Sequence, residues 1–328
     1  MSNKNINLLE SIDAGDAMLF QEKYLMNEKP VILKGMGKDW PAIRRWSADF
    51  FRNNYGHIKV PVCYYKTKQQ EAYKNQIKMR LNEYINLAEK NAPPDDYAEP
   101  PYLGGWIYHK EAPELLDDID MTLPCFPENW LYKLPISISI PPTNLIIGYQ
   151  YVSSPLHTDS FFVNSVLTMI AGVKKARMVS PSHTFAVSNG LDLFNPNVAK
   201  NVLEQGAEIF EGTISAGDAF YIPPGWWHNV INIGFTIAVQ NLHVDTHRFP
   251  LFEQQMRGFV LPILSKIEDL GVEARKEISS AEQTLSPPPS HKTGDFIKHE
   301  KNYIMLLKKS TEKSESFLDN YYEQNSIK

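Results

Sequence analysis

The spacing of hydrophobic and polar positions changes character twice along the chain. Between residues 14 and 27, Ala17, Phe20, Tyr24 and Leu25 recur at helical spacing and predict a helix. Lys29-Pro30-Val31-Ile32-Leu33-Lys34-Gly35 reads as a short strand ended by glycine. Trp40-Pro41-Ala42 and Trp46 follow, and Ser47 is placed to cap a helix through Phe51. Arg80 to Glu89 is again helical, whereas Asn91 to Pro101 carries four prolines and reads as a loop. From Ile136 to Val244 the texture shifts to short apolar runs with turn residues between them. These runs are Ile136 to Ile140, Asn144 to Tyr151, Val163 to Ile170, Ala176 to Val179, Ala219 to Ile222 and Thr236 to Val239. Such spacing predicts an all-β sandwich or barrel.

Beyond Phe249 helical periodicity returns through Leu251, Phe252, Met256, Phe259, Ile263 and Ile267, with Pro262 as a kink. Ser286-Pro287-Pro288-Pro289-Ser290 reads as a loop, Tyr303 to Leu307 as a last helix, and the chain from Lys308 is polar. The pattern contains no repeats. It divides the chain into residues 1–248, a mainly β domain with flanking N-terminal helices, and residues 249–328, a C-terminal helical region.

Composition narrows the field. A chain of 328 residues with 43% hydrophobic positions can bury a large core without covalent staples. Its net charge of −5 offers no global attraction to nucleic acid or to an anionic membrane, leaving at most a local basic patch. Two cysteines, Cys63 and Cys125, cannot build a cysteine-rich zinc module or a disulfide framework, which points to a reducing cytoplasm. Met1 to Glu10 lacks the apolar core of a signal peptide. No apolar run approaches the roughly 18 to 20 residues that span a bilayer. A soluble cytoplasmic protein is the expectation.

Two separated motifs carry the chemistry. His157-Thr158-Asp159 closes one apolar run, and Pro223-Pro224-Gly225-Trp226-Trp227-His228 closes another. Positions i and i+2 of a strand point the same way, so His157 and Asp159 can reach one ion. Either motif alone is also explained as a turn, the first by Ser153-Ser154-Pro155 and the second by its aromatic bend. Together they offer two imidazoles and a carboxylate on one side of a metal, a set that suits iron(II) with open positions for a cosubstrate and oxygen. The remaining histidines, His57, His109, His183, His243, His247, His291 and His299, show no spacing that makes a second site.

With Gly217-Asp218 leading into Trp226-Trp227-His228, and with Lys29-Pro30-Val31, Trp40-Pro41-Ala42 and Tyr102-Leu103 upstream, residues 20 to 245 resemble the JmjC and cupin-like family. Its members are iron(II)- and 2-oxoglutarate-dependent oxygenases, among them factor inhibiting HIF and the small JmjC hydroxylases. The resemblance implies a double-stranded β-helix of the jelly-roll or cupin type, with iron(II) held by His157, Asp159 and His228. It also implies that Lys174, in Gly172-Val173-Lys174, binds the distal carboxylate of 2-oxoglutarate, with Tyr102 and Ser154 assisting. A paired charge survives burial where a lone one does not. Without the family pattern Lys174 could be a surface lysine like its neighbour Lys175, Tyr102 a core residue, and Ser154 a turn residue. The family asparagine before glycine-x-lysine has Asn164 as its nearest match, although the spacing departs. Thr168, which a regular strand would put on the face of Lys174, could substitute. Asn241 resembles a late family asparagine near the metal.

The implied reaction consumes 2-oxoglutarate and O2, releases succinate and carbon dioxide, and hydroxylates a substrate C–H bond. A protein or peptide side chain is the leading substrate. A small metabolite, a natural-product intermediate or a modified tRNA base remains open, the acidic balance counting against tRNA. A cupin-fold protein that binds metal without turnover is the alternative of another class. The C-terminal helices resemble the dimerisation appendage of the small hydroxylases and imply a homodimer, unless they pack on their own barrel. Gly104-Gly105-Trp106 and Ser182 to Leu203 are expected to shape the mouth of the barrel.

Overall fold

The computed structural model describes residues 6–63, 76–90, 101–133 (save 122, 124 and 127), 142–258, 260, 261 and 265. The predicted strand at Ile136 to Ile140, most of the 91–101 loop, and every element predicted beyond residue 265 lie outside the described residues.

Among the described residues twelve strands follow one another in chain order. β1 (Asn7–Leu8), β2 (Ser11–Asp13) and β3 (Val31–Lys34) come first. Next are β4 (Lys59–Cys63), β5 (Gln76–Arg80), β6 (Leu103–Trp106), β7 (Thr143–Gly148) and β8 (Ser153–His157). The last four are β9 (Asn164–Val179), β10 (Ile209–Ser215), β11 (Ala219–Ile222) and β12 (Trp227–His243). β4 and β5 form a separate hairpin, and the other ten share one sheet.

That sheet folds over itself because its two longest strands turn a corner together. Residues 173–179 of β9 pair with β10 and with residues 227–233 of β12, which in turn pairs with β8. Residues 164–171 of β9 pair with β11 and with residues 237–243 of β12, whose far edge pairs with β7. At the corner Gly172 has φ +80, and a Cβ there would stand 2.2 Å from Phe235 O, so a side chain is excluded. The result is two facing sheets, the jelly-roll core that the run pattern implied. The runs at 163–170 and 176–179 are one bent strand rather than two.

Contacts tell the two faces of the second sheet apart. A Cβ on Gly148 would meet Asn232 of the first sheet at 2.1 Å, and one on Gly212 would meet Ile32 at 3.0 Å, so these positions face the interior. On the other face Tyr221 packs edge-on to Phe20 at 4.9 Å, His243 stacks on Phe126 at 4.6 Å, and Tyr108 bonds Thr143 at 3.1 Å. That outer face is covered by α1 (Ala17–Leu19) with the wider turn Phe20–Leu25, and by α2 (Pro41–Arg45), α3 (Ala48–Tyr55) and α4 (Leu81–Lys90). Ser47 caps α3 as expected, accepting from Phe50 N at 3.1 Å. The predicted helix at 14–27 widens after Leu19, where Met26 N reaches back five residues to Gln21 O at 3.0 Å.

The helix over residues 249–258 packs on its own barrel. Phe252 is buried with Leu131, Val163, Leu242 and Val244, and Phe249 and Met256 rest against them. Among the described residues both cysteines are buried and free, and no helix is long and apolar enough to cross a membrane.

Candidate metal and cosubstrate site

The pairing of β8 with β12 sets His157 directly opposite His228, with ring centroids 4.2 Å apart. Asp159 lies just past the end of β8 with extended backbone (φ −66, ψ 142), which returns its carboxylate to the side of His157. One ligand atom from each of the three residues lies within 4.8 Å of the others. The orientation of both rings is fixed from behind. His157 Nδ1 is 2.7 Å from Pro155 O and His228 Nδ1 is 3.0 Å from Trp226 O, so each donates there and turns Nε2 inward as a lone-pair ligand. Burial, with His157 alongside, pushes the His228 imidazole down in pKa and keeps it neutral. Asp159 Oδ2 is buried and makes no hydrogen bond among the described residues. Two imidazoles, one carboxylate and backbone carbonyls behind the rings fit a divalent iron and leave one side of it open.

Going inward along the same face, β12 presents His228, Val230 and Asn232, and β9 presents Met178, Ala176 and Lys174 opposite them. Lys174 is 1% exposed. Its Nζ bonds Asn232 Oδ1 and lies 3.4 Å from the Tyr102 hydroxyl. No carboxylate among the described residues pairs with it, and burial alone pushes its pKa down to about 7. Lys175 points outward and pairs with Glu211 at 2.7 Å, so of the two lysines Lys174 is the one that faces the interior. Ser154 stands opposite Val230, because a register shift in β8 leaves two residues facing one and returns Ser154 to the face of His157. A buried ammonium beside a tyrosine hydroxyl, on one wall with a metal triad, fits a small dicarboxylate that chelates metal at one end.

Three expectations are corrected. A bulge between Met169 and Ala171, where β9 is in register with Ala238 and Ile237, reverses the alternation beyond Gly172. Thr168, Asn164 and Asn241 therefore face the outer helices rather than the interior. Thr168 places its methyl 2.8 Å from where a Cβ on Gly37 would be. Asn164 is spent as a clamp, donating to Asp245 Oδ2 at 2.8 Å and accepting from Tyr221 OH at 2.9 Å. Asn241 Oδ1 accepts from Thr143 Oγ1 at 3.1 Å. Among the polar positions that do face inward on this sheet are Asn144, Ser165 and Gln240, with Gln240 donating to Ser165 Oγ at 2.9 Å.

The sequence reading also missed Asn232. Its signal was available, since it stands four residues after His228 on one strand and so on the same face. A further helix, α5 (Pro196–Glu204), occupies the expected mouth segment, capped by Asn195 Oδ1 on Asn197 N at 3.0 Å.

Comparison with known proteins agrees with this fold. Residues 17–245 match the family model described as a cupin-like domain. Lysine-specific demethylase JMJ21 of Arabidopsis thaliana is 25% identical over 236 residues, covering 68% of this chain and 24% of that protein. Lysine-specific demethylase 8 of Xenopus tropicalis is 26% identical over 234 residues, covering 67% and 49%. The human bifunctional peptidase and (3S)-lysyl hydroxylase JMJD7 is 23% identical over 264 residues, covering 67% and 78%. The chain thus spans about a quarter of the first of these and about half of the second.

Proposed function

This chain belongs to the cupin-like, JmjC-type family, and from that premise we propose that it is an iron(II)- and 2-oxoglutarate-dependent dioxygenase hydroxylating a protein or peptide side chain. The observation that carries the reading is Lys174, a buried ammonium without a carboxylate partner among the described residues, on one wall with His157, Asp159 and His228. A fold that only needed to bind a metal has no use for such a charge, which costs stability unless an anion joins it. The relatives' printed activities, two lysine-specific demethylases and one lysyl hydroxylase, support a protein side chain as substrate.

In this reading His157, Asp159 and His228 hold iron(II). Lys174, Tyr102 and Ser154 take the distal carboxylate of 2-oxoglutarate. Iron(II) with 2-oxoglutarate, when bound, supplies the means to activate O2, releasing succinate and carbon dioxide as a C–H bond gains oxygen. The protein's own tasks are geometric. The backbone carbonyls of Pro155 and Trp226 fix the two rings, the β9–β12 ladder fixes the distance from triad to ammonium, and apolar Val230 and Ala176 line the wall between.

Succinate formation from 2-oxoglutarate with iron(II) and ascorbate, with His157→Ala as control, tests the activity. If neither turnover nor 2-oxoglutarate binding occurs, the alternative of a metal-binding cupin without catalysis takes its place. Incubation with a proteome, and separately with a metabolite or tRNA extract, followed by a search for the mass of one added oxygen atom, tests the substrate class.

A further inference from the structure

The role of one buried contact at the inner end of this wall goes beyond holding the metal or touching the cosubstrate. Asn232 is fully buried, donating from Nδ2 to Tyr149 O at 3.0 Å and accepting at Oδ1 from Lys174 Nζ. Behind it is backbone. A Cβ on Gly148 would stand 2.1 Å from Asn232 Nδ2, so only glycine leaves room for the amide. Lys174 Nζ is held between this amide and the Tyr102 hydroxyl at 3.4 Å. An ammonium has three N–H donors, and two of them are directed at these neutral acceptors, leaving the third for an anion.

We propose that Asn232 is a positioning residue that fixes the depth of the Lys174 ammonium, and thereby selects a five-carbon 2-oxo dicarboxylate over its six-carbon homologue. The inference deepens the function proposed above and rests on it. Both ends of such a ligand meet atoms mounted on one ladder, since His228 pairs with Met178 and Asn232 with Lys174. Four residues of strand separate the Cα atoms of His228 and Asn232 by roughly 13 Å. The strands cannot change that span, but the four-carbon lysine stem can. What turns a flexible stem into a fixed stop is the amide bonded to its tip and itself bonded to Tyr149 O. Without that amide the ammonium is free to withdraw toward the space the side chain filled, and the site lengthens by about one methylene.

The test is calorimetric titration of the manganese-loaded protein with 2-oxoglutarate and with 2-oxoadipate, alongside steady-state kinetics. Wild type is expected to favour 2-oxoglutarate. Asn232→Ala should bind 2-oxoglutarate about tenfold more weakly, the loss of one hydrogen bond to a charged group. Its preference over 2-oxoadipate should narrow or invert, with KM for 2-oxoglutarate rising more than kcat falls. Asn232→Asp places a carboxylate against Lys174 and should weaken both diacids, by about a hundredfold. Gly148→Ala displaces the amide without altering it and should reproduce the loss of discrimination. If wild type binds neither diacid, the proposed function fails and this inference with it. If wild type binds 2-oxoglutarate and Asn232→Ala keeps the same discrimination, the inference alone is overturned. Equal losses for both diacids together with weaker manganese binding in Asn232→Ala would mark a structural residue and overturn it as well.

Discussion

Replacing Lys174 by methionine should stabilise the protein at neutral pH while abolishing cosubstrate binding. Burial takes the ammonium from an ordinary 10.5 down to about 7. At about 1.4 kcal/mol per pH unit, that depression corresponds to about 5 kcal/mol withheld from the fold at or below pH 7. Methionine has nearly the length of lysine and no charge. It leaves Asn232 Oδ1 without this donor, at about 1–3 kcal/mol for the buried group. The net expectation at pH 7 is a gain of about 2–4 kcal/mol, a rise of a few degrees in Tm. The sign changes with pH. Between 7 and 10.5 the unfolded chain keeps a proton that the native lysine has lost, so wild-type stability rises with pH through that window. The advantage of methionine therefore shrinks above pH 7 and reverses by about pH 10. Urea midpoints for both proteins at the two pH values measure this directly. A methionine variant less stable than wild type at pH 7, or a difference that does not move with pH, would refute the account of an isolated buried charge. Retained 2-oxoglutarate binding would refute its assignment.

Other expectations follow from the same geometry. Because the ligand-free ammonium titrates at about 7, 2-oxoglutarate affinity should be flat below that pH and fall by up to about tenfold per unit above it, with proton uptake visible by calorimetry in buffers of differing ionisation enthalpy; an unchanged affinity up to about pH 8.5 would count against it. Asp159→Asn removes the only anionic ligand of the triad and should weaken manganese binding by at least about tenfold, measured by titration, with the urea midpoint unchanged or raised. Asn164→Ala should cost about 1–3 kcal/mol of stability in urea, since it strands Asp245 and Tyr221, yet leave KM for 2-oxoglutarate at the wild-type value; a raised KM would return Asn164 to the interior.

What the sequence disclosed and what it hid divide along a physical line. His157, Asp159, His228 and Lys174 could be picked out as candidates on one wall because each is defined by a short local pattern, and the strand period holds over two or three residues. Thr168 was misread because the period had to be carried across six residues, through Gly172 and a bulge at Ile170. One unpaired residue inverts every side chain beyond it, and nothing in Thr168-Met169-Ile170-Ala171-Gly172 announces which residue that will be. Asn164 and Asn241 failed for the same reason, being matched by offset to motifs in the other sheet. The N-terminal strands β1 and β2 are too short to carry a period at all. Asn195-Pro196 did carry a helix-start signal for α5, inside a segment read only as a mouth loop.

The corner that defeated the offset argument is also what makes the site possible. Each of β9 and β12 crosses from one sheet to the other, so the wall that holds the triad and the ammonium is one stretch of antiparallel ladder, residues 173–179 against 227–233. Every hydrogen bond of that ladder would have to shear to alter the distance between His228 and Lys174, whereas the segments at the mouth are separate short helices and 3-10 turns joined by loops. In the proposed function the cosubstrate is thus spanned by one continuous ladder and the substrate by separate segments at the mouth. Substitutions in the 182–203 segment should accordingly redistribute substrates while leaving the 2-oxoglutarate to 2-oxoadipate ratio alone, and substitutions at Asn232 or Gly148 should do the reverse.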